Sequence, residues 1–279
     1  MKQLFLFISF TCFAFICNAQ SYEPLDLSKK IFSRDTFPEI KRYSIDEYEG
    51  HPNGRDLSNK IKTKFVLLDQ NTLTAVVAMT ITDSLGKGLD TYLHFKKDTI
   101  WKLCAFRALA MTGIIAKVND DLSALTAKQI DSVIASPYTK AKDHRLFKSK
   151  EEYRYLLGNT SLVLSLDSEL ISHFNKNKRA FEDLKNSLVK HGVMTKSQGL
   201  KEMKGAETYK NRLALLFIDN AFPDWESSKN NLNFLVGGIT DNSVGYLYIK
   251  NKKDVPKMNP SHFIMIREIG NGWYLYKTT

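Results

Sequence analysis

Cysteine is nearly absent. Of three in the 279 residues, Cys12 and Cys17 lie in the leading apolar stretch, which leaves Cys104 alone in the remainder and excludes an internal disulfide there. A protein sent to an oxidising space without disulfides must rely on its apolar core. Histidine occurs at positions 51, 94, 144, 173, 191 and 262, with no pair at the helical spacing of a zinc protease and no cysteine pair to complete a structural zinc site. No metal and no cofactor is therefore expected. A glycine-rich phosphate loop and a G-x-S-x-G turn are also missing, which removes the sequence support for nucleotide binding and for the commonest esterase layout.

What is present begins with MKQLFLFISFTCFAFICNAQ: one charge at Lys2, an apolar run from Leu4 to Ile16, then small residues around Ala19. The run is too short for a comfortable membrane span, and its small-residue ending suits a signal peptidase. We expect a signal peptide over 1–19, cleavage after Ala19, a periplasmic or extracellular protein and no transmembrane segment after cleavage. Bulky Thr11 and Ile16 precede the two leading cysteines, where lipidation wants a small residue. The formal charge is +10, and KAKDHRLFKSK at 140–150 and NKNKR at 175–179 could weakly attract acidic surfaces, although such runs usually only keep a surface wet. Export argues against nucleic acid as a partner.

Periodicity gives the architecture. Leu73, Ala75, Val77, Met79 and Ile81 alternate with Thr74, Thr80 and Thr82, the period-two pattern of a strand. KFVLL before it, and TYLHF and IWKLCAF after it, complete a four-stranded antiparallel meander. Cys104, in the last of these strands among Leu103, Ala105 and Phe106, reads as a buried inert thiol. From Leu109 onward the spacing becomes helical, with Thr126 to Gln129 and Ser149 to Glu152 as capping boxes and Asp167 as an N-cap. NLNFLVGG, SVGYLYIK, HFIMIREI and WYLYK then form a second meander. The expected fold class is α+β with two lobes, each placing helices on a four-stranded meander: an N-terminal lobe over 20–135, a basic linker over 136–150 and a C-terminal lobe over 151–279. Trp101 and Trp273 each follow a hairpin turn, which a duplicated fold would explain.

The curved meander ending in IWKLCAFR resembles the cone-shaped nuclear-transport-factor-like and cystatin-like folds, over residues 22 to 125 at most. HFNKNKRAFEDL, VGYLY and GNGWYLY in the C-terminal half look like uncharacterised exported bacterial proteins that end in an aromatic strand. Neither resemblance brings an activity or a functional residue. Ser187-Leu-Val-Lys190, Thr240-Asp-Asn242 and Lys277-Thr-Thr279 fall in the order used by penicillin-binding enzymes, but Ser187 lies near the end of its helix, where no helix N-terminus favours an alkoxide. The Asn159-Thr-Ser161 triplet formally fits a glycosylation acceptor.

Three functions stay open: a non-catalytic envelope protein binding a small ligand, a glycan or another protein; an inhibitor or immunity-type partner of a secreted enzyme, using aromatics such as Tyr246, Tyr248, Tyr274 and Tyr276; and an enzyme with an unfamiliar site. If Lys97-Asp98 forms a two-residue turn, His94 lies opposite Trp101, and Asp90, Tyr92, His94, Trp101 and Arg107 share one sheet face. On the concave side of a curved sheet that set would line a ligand pocket with an aromatic wall, a cation and an imidazole; the alternative is the solvated back of the sheet. The targeting segment makes a direct prediction: N-terminal sequencing of the exported protein begins at Gln20, or finds that residue cyclised, and intact residues 1–19 in an envelope fraction would refute export by cleavage.

Overall fold

A computed structural model describes residues 21–136, 145–190, 206–223 and 231–279. The signal segment, part of the basic stretch at 140–150, and His144 and His191 lie outside the described residues. The first sheet contains β1 (Lys62–Gln70), β2 (Thr74–Thr82), β3 (Gly88–Lys97) and β4 (Trp101–Ala108), antiparallel and in sequence order. Its alternation is real: Ala75, Val77 and Met79 join Leu93, Phe95, Trp101 and Leu103 on one face. Covering them is α1 (Pro24–Ile31), which begins on a proline suited to a helix start and buries Leu27 and Ile31. Tyr43 and Tyr48 close the same core. The opposite face, where Val76, Ala78 and Tyr92 project, is buried too, in a core shared with the second half of the chain.

Six helices follow: α2 (Thr112–Ser123), α3 (Ala127–Ala135), α4 (Lys150–Val163), α5 (Asp167–Lys176), α6 (Lys178–Lys190) and α7 (Ala206–Leu215). Thr126 and Gln129 form the expected capping box, and Ser149 Oγ accepts from the Glu152 amide at 3.1 Å. Asp167 departs from expectation. The cap position falls on Leu166, whose amide donates to Glu169, while Asp167 opens the helix and turns its carboxylate inward. The Asn159 triplet sits within α4, and the Asn159 amide donates to the Phe217 and Val236 carbonyls, so a glycan there would sever two ties between the helix and its neighbours.

The second sheet corrects the expected four-stranded meander. It has five strands, β5 (Asn220–Pro223), β6 (Leu232–Ile239), β7 (Asn242–Tyr248), β8 (Phe263–Gly270) and β9 (Trp273–Thr278), in the order β5-β6-β7-β9-β8. The β8–β9 hairpin is tight, with Asn271 and Gly272 at φ 55° and 79°, as a type I′ turn requires. The long connection 249–262 therefore carries β8 past the open position beside β7, and β9 inserts between them. Every residue of β9 is buried. Trp273 and Leu275 face α5 and α6, whereas Tyr274 and Tyr276 face a second cluster that Val255 and Met258 of the connection help to cover. A Trp-Tyr-Leu-Tyr run without polar alternation fits a strand covered on both sides. Because the two sheets differ in strand order, they are not two copies of one fold.

The halves are joined by a buried polar cluster. Lys277 Nζ of β9 lies 2.9 Å from Asp167 Oδ1 of α5, with both side chains 5–6% exposed. Tyr92 of β3 donates its hydroxyl to the same oxygen at 2.9 Å, and the Asp167 amide donates to Asp90 Oδ2 at 2.5 Å. Thr80 Oγ1 donates to the other Asp90 oxygen. Removing one member leaves a buried charge without its partner. Lys277→Met is expected to lower the unfolding free energy by about 3–5 kcal/mol in urea titrations. Lys117→Met, whose partner Asp121 is exposed, is expected to change it by less than about 1 kcal/mol.

Candidate functional site

The five residues expected to share a face divide. Lys97 pairs with Trp101 across a three-residue connection, because the Asp98 carboxylate accepts from the Thr99 and Ile100 amides and replaces the tight turn. A bulge at Cys104 then sets His94 opposite Ala105. Trp101 thus projects to the α1 side and is buried there, while Asp90, Tyr92, His94 and Arg107 stay together on the other face.

Those four residues meet the second half of the chain rather than solvent. Asp90 and Tyr92 belong to the joining cluster, and Arg107 donates from Nε to the Pro260 carbonyl at 2.7 Å and pairs with Glu47. Burial above all, then the Asp167 carboxylate, raises the Asp90 pKa. His94 is 3% exposed and its Nε2 has no hydrogen-bond partner. Burial first, then the Arg107 charge, lowers its pKa from 6.5 to about 4, against a weaker opposing pull from the Ile264 backbone. Cys104 is buried, donates to the His94 carbonyl, and has its thiol pKa pushed up to about 11 by burial, so it is no nucleophile at neutral pH.

A different constellation lines a cleft of about 470 Å³. On one side the chain leaves α1 through Ser33 and Asp35, whose amide donates to Ser33 Oγ at 3.1 Å. On the other side is the loop Gly50–Asp56. Gly50 takes φ +100°, and Gly54 approaches so closely that a Cβ would stand 1.8 Å from the Ser33 carbonyl oxygen. The Gly54 amide donates to the Ile31 carbonyl, and buried Tyr48 donates its hydroxyl to the Pro52 carbonyl at 2.8 Å. Asn53 donates to the Gly50 carbonyl and accepts from the Arg55 amide. The loop is therefore closed on itself and clamped to the helix end.

Within it, His51 Nδ1 lies 2.8 Å from Asp56 Oδ2, which also accepts the Asn53 amide at 2.8 Å. The His51 hydrogen bond and then that amide hold the Asp56 carboxyl below the usual carboxylate range. Buried Ile31 with half-buried Phe37 and Ile40 supplies the apolar lining, and exposed Asp35, Thr36, His51, Arg55 and Asp56 supply the polar one, with Asn53 between. Sequence reading missed this site, counting His51 only as a scattered histidine. The available signal was HPNGRD, an Asn-Gly turn carrying an imidazole, a guanidinium and a carboxylate within six residues.

A second cleft of about 380 Å³ lies between α4 and the end of α7, with Tyr155, Leu215 and Phe217 in its wall. Among the described residues no group of three or more histidine, cysteine or acidic side chains is placed to hold a metal ion, and no helix is long and apolar enough to cross a membrane. Tyr246, Tyr274 and Tyr276 are buried and Tyr248 is half-buried, which takes from the inhibitor reading the exposed aromatics that suggested it. Ser187 donates to the Asp183 carbonyl within α6, and Lys277 is committed to Asp167, so neither is free for acyl transfer.

Fold and cleft together describe an α+β protein with two antiparallel sheets and a cleft of about 470 Å³ in its N-terminal segment. No family model, curated protein or solved structure matches the chain.

His94 reports on the joint between the halves. Its pKa is depressed on folding, so its contribution is fully present above pH 6.5 and is lost as pH falls through about 4. The loss approaches about 3 kcal/mol at most. Asp90, with its raised pKa, acts in the opposite sense. Urea unfolding at pH 7, 5.5 and 4 should show stability falling more steeply for the native chain than for His94→Gln, and equal slopes would contradict the assignment.

Proposed function

We propose that this is an exported, non-catalytic binding protein of the cell envelope that holds a small ligand in the cleft formed by α1, Asp35–Phe37 and the Gly50–Asp56 loop. The clamped loop carries the reading. Binding sites are usually largely preformed concavities of roughly 300–1,000 Å³ with apolar walls and a few placed polar groups, and this cleft, at about 470 Å³, has all three properties. Loops that present function from a rigid scaffold need such anchoring, which Gly54 and Tyr48 supply here.

A second reading, an enzyme, is favoured by the His51–Asp56 pair, since a carboxylate on Nδ1 orients an imidazole as a base. The two readings separate experimentally. Equilibrium dialysis of the purified protein against a small-molecule extract, followed by mass spectrometry, should enrich a ligand that is recovered chemically unchanged. His51→Ala and Arg55→Ala, both exposed, should abolish enrichment while changing stability by less than about 0.5 kcal/mol. Conversion of the captured molecule, dependent on His51, would establish the enzyme instead; capture indifferent to both substitutions would remove the cleft from consideration.

A further inference from the structure

The cleft presents charges of both signs. Asp35 and Asp56 contribute carboxylates, Arg55 a guanidinium and His51 an imidazole, against an apolar wall of Ile31, Phe37 and Ile40. Asp56 commits Oδ2 to His51 and the Asn53 amide, leaving Oδ1 for a ligand. The Arg55 guanidinium makes no hydrogen bond or ion pair among the described residues, and its backbone is held by Asn53. The internal pairing thus occupies one Asp56 oxygen, while Asp35, which among the described residues accepts only from the Ser33 hydroxyl, Asp56 Oδ1 and the Arg55 guanidinium remain open to a ligand around a partly apolar space.

An anion entering this space would face Asp35 and Asp56, and a cation would face Arg55, so a ligand of a single charge meets repulsion from one side, softened by the solvent that reaches these exposed groups. A neutral polyol would leave the cleft's charges of both signs without a countercharge from the ligand. A molecule with an ammonium group, a carboxylate and an apolar portion meets all three features. Resting on the cleft as the binding site, we infer that its ligand is a zwitterion of this type, an apolar amino acid or short peptide with free termini, its carboxylate toward Arg55 and its ammonium toward Asp35 and the free oxygen of Asp56.

Calorimetry with four probes tests the assignment: L-leucyl-L-leucine, its N-acetyl derivative, its C-terminal amide and the doubly capped form, with maltose as a neutral comparison. The zwitterion should bind, and each single cap should weaken it about tenfold or more. Arg55→Ala should weaken the zwitterion while erasing the penalty for amidation and keeping that for acetylation; Asp35→Asn should do the reverse. Both side chains are exposed, so the variants are expected to fold, and melting curves verify it. Capped forms binding as well as the zwitterion, or no binding by any of the four peptides, overturns the inference. Maltose binding lost in Arg55→Ala would overturn it while leaving the cleft as a binding site. Peptide binding unaffected by either substitution would overturn both the inference and the cleft.

Discussion

The salt bridge between Asp167 and Lys277 is the contact on which the arrangement of the molecule turns. One partner opens α5 and the other lies in β9, an interior strand of the second sheet, and Tyr92 brings the first sheet to the same oxygen. Desolvating two charges offsets most of their attraction, so such a pair adds little net stability compared with an apolar substitute. What it does is penalise alternatives: any packing that parts the two strands and the helix leaves a bare charge in a dry core. Asp167 also sits in the first turn of α5, the end of a helix to which negative charge is attracted.

Around that joint the aromatic core is laid down in layers. Trp273 contacts Phe174, Phe181 and Phe234 at ring distances of 5.1, 5.9 and 5.1 Å, and its indole nitrogen donates to Glu182 at 2.7 Å. Trp101 occupies the other core, beyond the first sheet, with its nitrogen unpaired and Lys97 over its ring at 5.2 Å. The superficial similarity of the two tryptophan strands reflects a shared physical need, a large ring sealing the start of a buried strand, met in sheets of different topology.

The cleft borders this interior through Ile31, Phe37 and Ile40, which belong to or pack against the core on the α1 side of the first sheet. Its polar groups are exposed, and their positions are set by backbone hydrogen bonds within one short loop and by the close approach of Gly54 to the end of α1. A site built this way is preorganised without help from the second half of the chain, and its charge pattern can vary without disturbing either core.

The four strands of the first sheet, β6 to β9 of the second, the Thr126 and Ser149 helix starts and the α+β class were legible in the sequence because each depends on local chemistry, namely alternation for strands, side-chain acceptors for helix starts and Asn-Gly for the last hairpin, whereas the short β5 was not. Residue order alone did not decide that β9 is an interior strand and β8 the edge, since that depends on which connection can reach across the sheet. It did not place Trp101 on the α1 side, because one carboxylate, Asp98, capturing two amides, lengthened a turn by a residue, and strand register transmits such a change to every side chain beyond it. Nor did it reveal the cleft, whose lining comes from segments that are unremarkable separately and acquire meaning only when Gly54 lets them touch. Local interactions are written in neighbouring residues, whereas burial, register and shared charge arise between residues far apart in the chain, and those only the folded structure brings together.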